Sequence, residues 1–92
     1  MILSWQHKGL KRFFESSALA GIRADHAAKL GRQLRRLDQA HTPQDMNIPG
    51  WDLHSLSGKR RNFWSVKVNG NWRLIFRFNG QDVECVDYLD YH

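Results

Sequence analysis

Residues 62–92, NFWSVKVNGNWRLIFRFNGQDVECVDYLDYH, decide the fold. Three runs rich in aromatic and β-branched residues alternate with a period of two, and Asn69-Gly70 and Asn79-Gly80 separate them. Asn-Gly between alternating hydrophobics is the strongest short-range hairpin signal, so the segment predicts three consecutive antiparallel strands joined by type I′ turns. With only those dipeptides in the loops, Val66 pairs with Arg73, Arg77 with Asp82, and Arg73 with Val86. Paired residues share a face, and successive residues alternate between faces. One face is then expected to hold Trp72, Leu74, Phe76 and Phe78 with Val83 and Cys85, apolar and turned toward helices. The other is expected to carry Val66, Arg73, Ile75, Arg77, Asp82, Glu84, Val86 and Tyr88, and beyond them Asp90 and His92. Tyr91 falls on the opposite parity.

Upstream, WDLHSLSG at residues 51–58 reads as a further strand. It follows a linker at residues 41–50 punctuated by Pro43 and Pro49-Gly50. Before the linker the period is helical. KGLKRFFESSALAG, from Lys8, places Leu10, Phe13 and Phe14 at helical spacing, and Gly21 is expected to stop it. A second helix is expected over roughly residues 24–40, with Ala27, Leu30, Leu34 and Leu37 in one stripe. Lys29, Arg32, Arg35 and Arg36 read as its solvated face. Ile2 to Trp5 reads as a short strand. The expected class is α+β: a single domain over 1–92 with two N-terminal helices packed on a twisted antiparallel sheet.

Composition narrows the partners. The 92 residues include 14 Lys+Arg against 9 Asp+Glu, a net charge of +5, which favours a polyanionic partner, nucleic acid first. A hydrophobic content of 41% with 12% aromatics excludes a disordered chain. One cysteine, Cys85, excludes an intramolecular disulfide and reads as a small buried hydrophobe. The histidines have no metal-ligand spacing, so neither a metal nor another cofactor is expected. MILSWQHK lacks the apolar run of a signal peptide, and no stretch reaches 18 apolar residues. The expectation is a cytoplasmic protein without a membrane partner.

A basic face with His, Tyr, Asp and Arg suits phosphodiester cleavage in RNA, which carries its own nucleophile, the 2′-OH. The protein must take that proton, neutralise the phosphorane and protonate the 5′-leaving oxygen. A histidine or an Asp–His pair can move the protons, each transfer contributing about 10²–10⁴-fold. An arginine on the non-bridging oxygens adds about 10²–10³-fold. His54 and His92 are the candidate histidines. Of the two strand arginines, Arg77 has a cross-strand acid and Arg73 is expected to be the free one. Lys59, Arg60 and Arg61, followed by Phe63 and Trp64, mix phosphate-binding charge with stacking rings, as RNA-binding surfaces do.

The order LHSLSGKRRNFWSVKVNGNWRLIFRF followed by a closing DYH, after an opening MILSWQHKGLKRFFE, resembles the HigB branch of the RelE/ParE toxins of type II toxin–antitoxin systems. The resemblance covers essentially the whole chain. It implies two helices on an antiparallel sheet and a ribosome-dependent endoribonuclease that cuts mRNA in the decoding site, without metal, leaving a 2′,3′-cyclic phosphate and a 5′-hydroxyl. It implies as partners a HigA-like helix-turn-helix antitoxin and the 70S ribosome with its mRNA and ribosomal RNA. Operator DNA is implied only through the antitoxin. Carried over by position, His54 and His92 are implied in proton transfer, Asp90 in orienting or charging a histidine, Arg73 on the phosphate, and Tyr91 in stacking or hydrogen bonding. Lys59, Arg60, Arg61 and Arg77 are the expected RNA contacts. Some members have a lysine where Ser57 stands; here a cation must reach that point from Lys59, Arg60 or Arg61. A ParE-like inhibitor of DNA gyrase is the alternative on the same fold, since fold alone does not choose the activity.

Overall fold

A computed structural model describes residues 1–91; His92 lies outside the described residues. Two helices, α1 (Lys8–Ser16) and α2 (Ala27–Gln39), precede four strands: β1 (His54–Ser55), β2 (Phe63–Asn69), β3 (Trp72–Asn79) and β4 (Asp82–Asp90). The strands form one antiparallel sheet in the order β1-β2-β3-β4. The expected α+β architecture is therefore present.

The helices cover one face of the sheet because their stripes have nowhere else to hide from water. Leu30, Leu34 and Leu37 of α2 and Leu10 of α1 are fully buried against Val66, Leu74, Phe76, Val83 and Val86. Each such side chain contributes about 1.5–3 kcal/mol when buried. Gln33, also fully buried, donates from Nε2 to the Lys67 carbonyl at 2.8 Å and ties α2 to β2.

The expected short strand at residues 2–5 is realised as two parallel bridges to β4, Ile2 to Val83 and Trp5 to Val86. Helix α1 ends earlier than Gly21. Ser17 takes the left-handed conformation at φ 62° and its N–H donates to the Phe13 carbonyl, closing the helix at Ser16. The linker at residues 41–50 contains a 3-10 turn, Pro43–Met46, boxed by Thr42 and Asp45.

The hairpins differ from the expected register, and the site depends on that difference. The turn residues are Gly70-Asn71 and Gly80-Gln81, flanked by the pairs Asn69–Trp72 and Asn79–Asp82. Glycine stands first at φ 58° and 65°, while Asn71 and Gln81 have no positive φ. That is the type II′ pattern, not I′. On β2 the register slips at Val68, so Lys67, not Val66, lies opposite Arg73. Val66 and Val68 thereby enter the core, 0% and 2% exposed. Burying two valines outweighs the turn preference that the Asn-Gly pair carries.

A second irregularity sits on β4. Arg77 pairs with Glu84 but Ile75 pairs with Asp87, so Phe76 is opposed by two residues, Cys85 and Val86. This is a β-bulge with Cys85 at φ 57°, where a glycine would be unstrained. The left-handed conformation costs about 1–2 kcal/mol for a residue with a Cβ. The N-terminal segment offsets it: the Cys85 N–H donates to Ser4 Oγ at 2.8 Å, and the Val86 N–H to the Ser4 carbonyl at 3.2 Å.

The bulge inverts the parity of everything after it. Val86 and Tyr88, expected on the arginine face, are buried in the core instead. Asp90 pairs with Trp72 and shares the helix-covered face, so it does not join Arg73. Leu89 and Asp87 pair with Arg73 and Ile75 and take their face.

Candidate active site on the open face of the sheet

Arg73 anchors the open face. It is not the free cation that the residue pattern predicts, because its side chain is only 13% exposed and is held on both sides. Nε donates to the Ser65 hydroxyl at 2.8 Å, and Nη2 to the Asp52 carbonyl at 2.5 Å. Nη1 lies 3.5 Å from Asp52 Oδ2. Ser65 is fully buried. A guanidinium has five N–H donors. With a further Nη2 contact to His54 Nδ1 at 3.4 Å, at least one donor is left for a phosphate oxygen.

His54 is set by the same brace. Its Nδ1 lies 3.1 Å from the Asp52 carbonyl and 3.5 Å from Asp52 Oδ1. The ring is well exposed, at 60% of its side-chain surface. Engaging Nδ1 at Asp52 leaves Nε2 as the nitrogen presented to a substrate, the arrangement by which an acid fixes a histidine tautomer. Asp52 holds φ 51°, a strained value for most residues but one that a short polar side chain tolerates. That backbone kink lets one residue offer both its carbonyl and its carboxylate to Arg73 and His54.

The cleft between them, about 290 Å³, is lined by His54, Ser55, Leu56, Ser65, Arg73 and Tyr91. Tyr91 reaches it although strand parity put it on the other side; the bulge at Cys85 accounts for the change. The Tyr91 N–H donates to the Asn71 carbonyl at 2.8 Å, which holds the end of the chain across the first hairpin turn. Arg60 lies over its ring, 5.6 Å from the centroid. Of the three cations beside Ser57, Arg60 is thus the one over the rim of this cleft. Lys59 lines the neighbouring cavity with Arg60, and Arg61 lines neither.

Arg77 stands apart. Its partner is Glu84, not Asp82, at 2.8 Å from Nη2, and it lies over the Phe63 ring at 5.2 Å. Asp82 meets the N-terminal ammonium at 3.4 Å. Asp90 faces a different cavity, larger than the cleft at about 420 Å³, with His7, Arg23, Trp72 and Tyr88. There, Tyr88 Oη and His26 Nδ1 are 2.6 Å apart in the interior, and burial pushes the Tyr88 hydroxyl pKa up. Sequence reasoning missed Asp52 and Ser65. The only signal for Asp52 was its position two residues before His54.

This face has the groups for RNA cleavage, and the relatives point the same way. A family model for the RelE-like toxin of the type II toxin–antitoxin system HigB matches residues 3–92. The chain belongs to the HigB family of RelE-like toxins. It is 37% identical to the endoribonuclease HigB of Proteus vulgaris, with the whole of both chains covered. It is 33% identical to toxin HigB-1 of Vibrio cholerae serotype O1, covering all of this chain and 98% of the other. As a HigB-type toxin of a type II system, its partner is an antitoxin.

Proposed function

We propose that this HigB-family toxin is a ribosome-dependent endoribonuclease that cuts mRNA in the decoding site by attack of the substrate 2′-OH on the adjoining phosphorus. The observation that carries the reading is the Asp52 brace, which sets His54 and Arg73 on one cleft with Tyr91 across from them.

His54 Nε2 exchanges a proton with the reacting oxygens, and the acidic and carbonyl oxygens of Asp52 stabilise the imidazolium as it forms. Arg73, rigid before substrate arrives, presents its remaining donor to a non-bridging oxygen. A preorganised cation of this kind stabilises a developing charge without reorganising. His92, next in sequence to Tyr91, is the proposed second proton-transfer group, so that one histidine accepts the 2′-OH proton while the other protonates the 5′-oxygen. Tyr91 stacks on a base, with Arg60 on its other side. Asp52, whose carboxylate lies 3.5 Å from His54 Nδ1, is the acid that charges His54. Asp90, beside Trp72 and Tyr88, orients a histidine from the other side of the strand. In-line alignment is left to the ribosome, which would account for the dependence on it.

Lys59 and Arg60 contact phosphates beside the cleft, and Arg61 contacts them farther out. The antitoxin is proposed to be a HigA-like helix-turn-helix protein through which alone the toxin meets operator DNA, and the site of action the cytoplasm. The proton-transfer and phosphate-binding groups gathered at the cleft favour cleavage over the gyrase reading.

The test is mRNA cleavage in a reconstituted translation mix, mapped by primer extension, with a lane lacking ribosomes. Wild type should cut only with ribosomes, and His54→Ala and His92→Gln should each lose most of that cutting. A wild-type chain that arrests growth through DNA damage, with its messages intact, overturns the proposal.

A further inference from the structure

A buried serine lies under the cation of the cleft. We propose that Ser65 is a positioning residue for cleavage, its hydroxyl fixing the Arg73 guanidinium in place before substrate arrives. This rests on the RNA-cleaving reading above.

The position of Ser65 is at odds with its side chain. It stands in the middle of β2, paired with His54 on one side and Ile75 on the other, and it is 0% exposed. β-branched and aromatic residues are the ordinary occupants of a strand interior, and a hydroxyl buried there is costly unless it is hydrogen-bonded. Among the described residues its one side-chain hydrogen bond is the one it accepts from Arg73 Nε, at 2.8 Å. Packing alone would be served by an apolar residue; the hydroxyl is there for the arginine.

The sheet brings the pair together. Arg73 lies two residues before Ile75 on β3, which makes Ser65 its diagonal neighbour on β2. Ser65 holds the guanidinium at Nε, and the Asp52 carbonyl holds it at Nη2, at 2.5 Å. Nε–H and one Nη2–H leave the same edge of the planar fork, so the two bonds together set both its plane and its rotation. With Nε released, the fork can swing about the Asp52 carbonyl. Strand β2 supports that second hold as well: the Lys67 N–H donates to the Trp51 carbonyl at 2.6 Å and pins the segment that carries Asp52.

Burial makes the serine contact matter for rate. The Arg73 side chain is 13% exposed, so an Nε–H without its acceptor finds little water and must turn toward another. The donor aimed at the phosphate turns with it. A misplacement of about 1 Å costs as much as about 10²-fold in rate. Ser65 acts only through the arginine, whereas Asp52 also holds His54.

A double-mutant cycle tests the assignment, read as single-turnover cleavage of a defined message on ribosomes over a range of toxin concentrations, with melting temperatures in parallel. Ser65→Ala should lower the limiting rate about tenfold and leave the half-saturating concentration within about twofold of wild type. In an Arg73→Ala background the same substitution should change the rate by less than about twofold. Ser65→Cys, close in size but a weak acceptor, should fall about as far as Ser65→Ala, which separates the hydrogen bond from the space it fills. A folded Ser65→Ala or Ser65→Cys that cuts at the wild-type rate overturns the inference. So does an equal fractional loss in both backgrounds, or a loss confined to the half-saturating concentration. Absence of any wild-type cleavage would instead overturn the endoribonuclease reading and this inference with it.

Discussion

His54 and His26 lie near the same end of the sheet, on opposite faces, in opposite environments. His54 is exposed and braced by the carbonyl and carboxylate of Asp52. His26 is 2% exposed, hydrogen-bonded to the Tyr88 hydroxyl and set edge-on to the Trp72 ring. Neighbouring residues of β3, Arg73 and Trp72, mark the two sides. The larger cavity belongs to the His26 side, so size alone would misplace the chemistry. A proton-transfer group needs a substrate's access and a charge that stabilises its ionised form; His26 has apolar rings around it and serves to fill and fasten the interior.

The contrast breaks most directly at the brace. Removing either working group should cost the most: His54→Ala about 10²–10⁴-fold in cleavage rate, and Arg73→Ala about 10²–10³-fold. His54→Ala should leave the melting temperature close to wild type, since its ring is exposed. Single-turnover cleavage with a melting curve for each variant separates the two effects, and full activity in His54→Ala would equate the two histidines.

Asp52→Asn should cost less. The backbone carbonyl still holds Arg73 and His54, and asparagine accepts the same positive φ. Losing the charge at contacts of 3.5 Å should lower the rate about tenfold, the equivalent of about 1.4 kcal/mol. A loss as large as that of Arg73→Ala would mean that the carboxylate, not the carbonyl, carries the brace.

On the other face the expected effects concern stability. Tyr88→Phe leaves His26 Nδ1 without its partner in the interior and should destabilise by about 1–3 kcal/mol in urea unfolding. Cleavage by the folded fraction should stay at the wild-type rate. A lost rate with unchanged stability would move the chemistry to the larger cavity.

The smallest effect is alkaline. Burial raises the folded-state pKa of Tyr88 above the ordinary 10.0. The neutral phenol is therefore favoured in the fold, and its stabilisation is complete below pH 10 and lost as the pH rises through the higher folded value. Urea midpoints should fall between pH 9 and 11 more steeply in wild type than in Tyr88→Phe. Equal slopes would show that the hydroxyl ionises as readily folded as unfolded.

Much of this was legible in residue patterns, and the exceptions share one cause. The leucine stripe of α2, the period-two strands and the glycine turns each report on a few neighbouring residues. The elements formed near their expected places, although the strand expected over residues 51–58 is only His54–Ser55. Face assignments failed at Val66, Cys85, Val86, Tyr88, Asp90 and Tyr91, because counting parity along a strand assumes that no residue is inserted. Cys85, expected in the core, is half-buried on the open face. Each of the two irregularities shifts the count by one, which exchanges the faces. Asp52 escaped notice for a related reason: its role comes from a kink that aims a carbonyl and a carboxylate together, which residue spacing does not encode.

By itself the sequence determined the elements, their order, the antiparallel sheet with its covering helices, and the family to which the chain belongs. All of these follow from local preference and from which stripes must leave water. Tertiary structure alone decided which side chains meet in the cleft. The choice turned on Val66 and Val68 entering the core and on Ser4 holding the Cys85 bulge, contacts between segments far apart in the chain. A one-residue insertion is small in energy beside a core of leucines, yet it reverses the direction of every side chain that follows.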